Sequence, residues 1–262
     1  MLETKRPQSP FAGNLDFSAR PPIRKLSPDE IARQLAEHRL YLETEWHQGH
    51  RANFASADLT GHDFSRLNLR GIKMDRALLK RADFTGTRMQ RTNLIGAILE
   101  AARLDDADLT GARLSGTNLV SASLENACLA KAEMEFAVMA KAVLRGACLR
   151  GADLSGALLD SAVLSGADLR EANLRGAGLR DARLDGADLR NARLGAAFLG
   201  AASLRGADLR GAYLRLAKFD GADLCDADLG GAEGLTQAQL DRAHCNSATR
   251  LPESLKGEGD AG

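Results

Sequence analysis

Aromatic residues are scarce in this chain: 4% of 262 residues, with one tryptophan and two tyrosines. That scarcity excludes a core assembled mainly from large rings. No run of 18 apolar residues occurs, so no transmembrane helix is expected. The opening MLETKRPQSP lacks an apolar segment of the kind a Sec-type signal needs. With only four cysteines and no such signal, reduced thiols and a cytoplasmic setting are expected. An excess of one charge is also missing, since 35 Lys+Arg balance 35 Asp+Glu. Balance excludes a polycation that holds nucleic acid, or a polyanion that imitates it, through bulk field alone. Proline is confined to positions 7, 10, 21, 22, 28 and 252, leaving the whole centre of the chain without one.

What fills that centre is a repeat. From Phe54 to Leu229 an apolar residue recurs at every fifth position: 28 Leu, four Phe and four Met, with no polar exception. Calling this position i, position i−2 is alanine in 30 of the 36 repeats, and His62, Leu67, Ile72, Thr87, Thr92 and Thr117 take the rest. A five-residue period suits neither regular element. On a helix it advances about 140° per repeat and scatters leucine around the surface. On a strand an odd period sends successive leucines to opposite faces. All 36 can be buried only if the backbone turns a corner every five residues and the coils stack as a solenoid. Sixteen of the 26 glycines sit at i+2, where a corner needs room or positive φ.

The outward slot i−1 gives the number of corners. Leu78, Ile98, Val138, Leu158 and Phe198 are separated by multiples of 20, as are Val143 and Val163, and Cys128 and Cys148. At i+1, Arg150, Arg170, Arg190 and Arg210 repeat at 20 as well. Four five-residue sides per coil align each set as a column. Thirty-six repeats then make nine coils, a rod of roughly 43 Å at ~4.8 Å per coil.

The consensus is Ala-(Asp/Asn)-Leu-x-x, intact in Ala57-Asp58-Leu59, Ala107-Asp108-Leu109, Ala152-Asp153-Leu154, Ala172-Asn173-Leu174 and Ala207-Asp208-Leu209. It resembles the pentapeptide repeat proteins over about two-thirds of the chain. The resemblance implies an all-β solenoid, the right-handed quadrilateral parallel β-helix.

Four segments follow. Residues 1–26 hold four of the six prolines and read as a disordered or loosely docked arm. Residues 27–50 open with Ser27-Pro28-Asp29-Glu30, an N-cap, an N1 proline and a capping-box glutamate, and predict a helix to about Glu45. Ile31, Leu35, Leu42 and Trp46 fall on or near one stripe of it, which is expected to cap the first coil. The lead-in Gly49-His50-Arg51-Ala52 resembles that of some bacterial members. Residues 51–231 are the β-helix. In residues 232–262, Thr236 and Gln239 predict a short capping helix before a disordered tail.

No candidate chemistry gathers. The aspartates at i−1 point outward and do not converge on a pocket. No Ser-His-Asp set is suggested. His47, His50 and His62 lack the spacing and the cysteine pair of a zinc site. An Ala/Leu interior leaves no ligand cavity. No enzyme, cofactor or metal is therefore expected. The arginine column reads as a salt-bridged face, because Asp168, Asp188 and Asp208 lie beside it. Cys128 and Cys148 stack on adjacent coils and are expected as free thiols.

The anomaly is the apolar column. Leu78, Ile98, Val138, Leu158 and Phe198, with Val143 and Val163 on the adjacent face, occupy a slot that the consensus gives to Asp or Asn. They are the expected interaction surface, for a protein partner or for self-association as a homodimer. The resemblance also carries a second reading, a rod that imitates DNA and protects DNA gyrase or topoisomerase IV from inhibitors. Neutral charge and arginine at i+1 in ten repeats depart from that pattern.

Overall fold

The computed structural model describes residues 22–255. Its centre is a four-sided parallel solenoid. Outward residues pair in parallel with residues 20 positions on, from Asn53↔Lys73 to Tyr213↔Glu233, so one coil is four pentapeptides.

Each corner is a turn closed by the carbonyl of residue i accepting from the N–H of i+3, as Phe54 O does from Ala57 N at 3.0 Å. All 36 residues at i+2 have φ between +53° and +71°, which makes these type II turns. Glycine takes that conformation freely, but 20 of the 36 corners are not glycine. The stack therefore holds those residues in a left-handed backbone that costs each of them about 1–2 kcal/mol.

Four of the five N–H groups of a repeat are bonded by backbone. Those of i, i+2 and i−1 go to neighbouring coils, as in Leu59 N to Leu78 O, Gly61 N to Lys80 O and Leu78 N to Ala57 O, and that of i+3 closes the turn. The fifth, at i+1, is left over. Wherever i−1 is Asp or Asn, its Oδ1 accepts this bond, from Thr60 N to Asp58 (3.1 Å) through to Gly230 N to Asp228 (2.9 Å). The consensus Asp/Asn thus completes the backbone of its own corner.

Inside, the i and i−2 side chains form one continuous core from Ala52 to Ala232, nearly all inaccessible to solvent. Phe64 and Phe84 stack on successive coils with centroids 5.0 Å apart, and Phe54 lies 6.2 Å from Phe64. The buried threonines turn their hydroxyls onto carbonyls, Thr87 onto Phe84 O (2.6 Å) and Thr117 onto Leu114 O (2.7 Å). Leu67 departs from the inward expectation and is 37% exposed, because no preceding coil covers its side of the first one.

Before the solenoid, strand β1 (Arg24–Lys25) pairs in parallel with β2 (Ala57–Asp58), at the end of the segment read as an arm. Helix α1 (Pro28–Glu43) starts with the expected capping box, Ser27 Oγ accepting from Glu30 N (3.2 Å) and Glu30 Oε2 from Ser27 N (2.9 Å). Ile31 joins the solenoid core and Leu35 packs against it. Trp46 does not share that stripe. It lies beyond the helix end, at φ +77°, 67% exposed. Gly49 follows at φ +70°, where a Cβ would come within 2.3 Å of Glu37 O, so the chain returns across α1 only with glycine there.

After the repeats comes α2 (Gln237–Leu240), where Gln239 Oε1 accepts from both Thr236 N and Thr236 Oγ1 at 2.9 Å. Gln239 Nε2 also donates to Leu214 O (3.0 Å) and Ala217 O (2.8 Å). Beyond α2 the chain rejoins the ladder through Asp223↔His244 and Asp228↔Arg250. The tail from Lys256 onward lies outside the described residues.

Candidate interaction face

The i−1 slots form four columns, one per side, named here by their first residues: Asn53, Asp58, Asp63 and Asn68. Three of them are largely polar.

On the Asn68 side the expected charge ladder is present. Arg170 makes a bidentate bond to Asp168 (2.8 and 2.6 Å) and reaches Asp188 at 3.5 Å. Arg190 repeats this with Asp188 and Asp208, and Arg210 with Asp208 and Asp228. The guanidinium bonds hold the carboxyls of Asp168, Asp188 and Asp208 below the usual carboxylate range. This face is locally neutralised. The fourth arginine of the column, Arg150, pairs instead with Glu171 at 2.8 Å. Cys128 and Cys148 pair in the same column as free thiols, and burial pushes the Cys148 thiol up.

The Asn53 side ends in a shallow groove of ≈ 490 Å³ lined by Arg175, Arg193, Arg215 and Tyr213. Gly195 makes room for the Tyr213 ring, 3.2 Å from where a Cβ would stand.

The Asp58 side carries the apolar column, in the order Asp58, Leu78, Ile98, Asn118, Val138, Leu158, Gly178, Phe198, Lys218. The five candidate side chains do share one face, but unequally. Leu158 is 47% exposed, whereas Leu78, Ile98, Val138 and Phe198 are half-buried between neighbouring coils. Phe198 is roofed by two cations, Arg180 at 4.8 Å and Lys218 at 4.9 Å from its ring centroid. Val143 and Val163 pair with each other on the Asp63 side, half-buried and flanked by Ser123 and Arg183.

Sequence reasoning missed Phe136. It occupies a corner at φ +56°, is 71% exposed, and lays its ring over Gly156 of the next coil, where a Cβ would stand 2.7 Å from the ring. Phe136 lies two positions before Val138, and Gly156 two positions before Leu158, so Phe136 extends the apolar column over the rod's edge. Leu216 occupies the same corner column, 69% exposed at φ +62°. The signal was present: these are the two large apolar residues at i+2 in the whole repeat.

Among the described residues no three His, Cys, Asp or Glu side chains gather as metal ligands, and no helix is long and apolar enough to cross a membrane. His47, His50 and His62 are not brought together. Glu37 Oε2 lies 3.4 Å from His50 Nδ1, and His62 packs on Phe64 with ring centroids 4.4 Å apart.

A four-sided parallel solenoid, built from Ala-(Asp/Asn)-Leu corners that satisfy their own backbone, defines a class of repeat protein. The model of pentapeptide repeats matches this chain in eight copies spanning residues 50–231. The chain belongs to the pentapeptide repeat family. Among solved structures it is similar to HetL, a pentapeptide repeat protein involved in heterocyst differentiation regulation from the cyanobacterium Nostoc sp. strain PCC 7120. The identity is 34%, over 77% of this chain and 84% of that one, with a TM-score of 0.36. QnrB1, a plasmid-mediated fluoroquinolone resistance protein, is 20% identical over 74% of this chain and 93% of its own, with a TM-score of 0.41. Rfr23 from the cyanobacterium Cyanothece 51142 is 31% identical over 44% and 63%, with a TM-score of 0.33. A comparison with curated proteins gives no match.

Proposed function

We propose that this chain is a non-catalytic interaction rod, a right-handed β-helix of nine coils that binds a protein through its Asp58 side. α1 and α2 close the two ends. Ile31 in the core and the Gln239 amide on two last-coil carbonyls support that role.

The observation that carries the reading is the exposed pair of Phe136 and Leu158. Each is a poor choice for the isolated rod. Leu158 gives up the Asx bond that Asp would make to the i+1 N–H. Phe136 bears the left-handed backbone and leaves its ring in water. Burying such side chains in a contact returns roughly 1.5–3 kcal/mol each. The DNA-like alternative calls for a dominant acidic surface, whereas residues 51–230 hold 25 Lys+Arg against 23 Asp+Glu.

The double substitution Phe136→Lys with Leu158→Lys tests the reading. Both side chains leave the coil, so circular dichroism and melting temperature are expected to stay close to the parent's. Affinity capture from the native host is expected to lose the partner that the parent retains. Unchanged capture would remove this face from consideration. Recovery of gyrase subunits by both proteins would support the alternative.

A further inference from the structure

We infer that the partner of the Asp58 side is a second copy of this chain, docked face to face and running antiparallel about Val138. The inference rests on reading that side as the interaction face and goes on to name its occupant.

The column has nine members with Val138 in the middle. Consider a two-fold axis in the plane between two such faces, perpendicular to the rod at the level of Val138. It turns the second copy end for end. Val138 then meets its own copy, Leu78 meets Phe198, Ile98 meets Gly178, the column's one position without a side chain, and Leu158 meets Asn118. The terminal charges match, Asp58 facing Lys218. In the parallel row at i+1, Glu100 faces Arg180 and Ala140 faces itself. At the corner, Phe136 meets its copy between Gly116 and Gly156. Lys25, which β1 places next to Asp58, lies diagonal to Asp220, the residue on the Lys218 coil.

The parallel orientation, and the Asp63 and Asn68 sides, do not give this pattern. With the rods parallel, Asp58 opposes Asp58 and Lys218 opposes Lys218. Antiparallel pairing of the Asp63 side sets Asp63 against Asp223, and pairing of the Asn68 side sets Asp108 against Asp188. Like charges directly opposed across an interface suppress the pairing. Eight coil steps of about 4.8 Å give a contact strip about 38 Å long.

The test is sedimentation velocity of the full chain at micromolar concentration. The parent is expected to reach twice the monomer mass, and Phe136→Lys with Leu158→Lys to stay monomeric. Asp58→Lys and Lys218→Asp, made singly, each oppose like charges and should weaken the dimer about tenfold or more. Made together they exchange the two ends and should restore it. Singles without effect, or a double without recovery, overturn the antiparallel register. A second measurement does not depend on those charges. With the native cysteines changed to serine, Val138→Cys should be joined to its copy by a short bismaleimide, and Val143→Cys on the adjacent side should not. A dimer that Val138→Cys fails to capture overturns the axis. A monomeric parent overturns self-pairing altogether but leaves the interaction face to the capture experiment, which is scored on a different partner.

Discussion

An aspartate at the outward slot of a pentapeptide works on its own backbone. The ladder and the corner turn together bond every N–H of the repeat except that of i+1, and the carboxylate accepts this one. Asp223 shows the cost of removing the charge. The backbone bond from Cys225 N at 2.9 Å, aided by the Cys225 side chain and Arg205, lowers its pKa to about 2. A carboxyl whose folded pKa lies below its unfolded value lends stability above the unfolded pKa, and loses it as pH falls through the folded one. Acid is therefore expected to loosen the last coils between about pH 4 and pH 2. Asp63, Asp83, Asp168, Asp188 and Asp208 shift in the same direction and deepen the loss. Asp223→Asn keeps an Oδ1 acceptor without the charge. Its urea midpoint should fall less steeply than the parent's over that interval. Parallel slopes would show that the Asp223 charge contributes nothing to the acid limb.

The helix α1 contains the least comfortable polar group among the described residues. His38 is 1% exposed with both ring nitrogens unpartnered. Burial first, and then the positive charge of Arg51, push its pKa down. The folded chain holds His38 neutral, so stability is full above the unfolded value of about 6.5 and declines as pH drops below it. His38→Leu removes the buried nitrogens and the proton linkage together. It should raise the melting temperature near pH 5.5 more than near pH 8. Equal gains at both would assign the effect to packing alone. The ends of α1 show what was legible in the sequence and why. Ser27, Pro28 and Glu30 act within one turn, so a local motif sufficed. β1 was not legible, because two residues carry no periodicity and their pairing is decided by Ser56 O, 32 positions away. Trp46 was misplaced for a related reason: the helix stops at Glu43, and the left-handed Glu45 and Trp46 turn the chain off the stripe.

At the scale of the whole molecule the solenoid is close to one-dimensional, because each coil touches only its neighbours. The five-residue period fixed the core from sequence, and the 20-residue coincidences fixed the columns. How open each column is could not be read from spacing. Leu158 and Phe198 share one slot, yet two cations roof Phe198 while Leu158 stands clear. Phe136 escaped notice because a corner is read as a glycine site rather than as a place for a side chain. The same geometry separates fold from surface in one experiment. Duplicating Ala152–Gly156 adds one intact pentapeptide, so every later i residue stays inward on a core of interchangeable Leu and Ala. Each later side chain, however, moves to the next face. Leu158 would then stack on Val143 instead of Val138, and Val163 on Cys148. The five-residue insertion is expected to fold, with circular dichroism like the parent's and a melting temperature within a few degrees. It should also lose capture and self-pairing, because the apolar column is cut in the middle. Duplicating the 20 residues 137–156 adds one whole coil and leaves every face aligned, so an apolar column on one side survives. If the five-residue insertion binds as well as the parent, no surface aligned over several coils is at work, and the binding residues lie within one end of the rod.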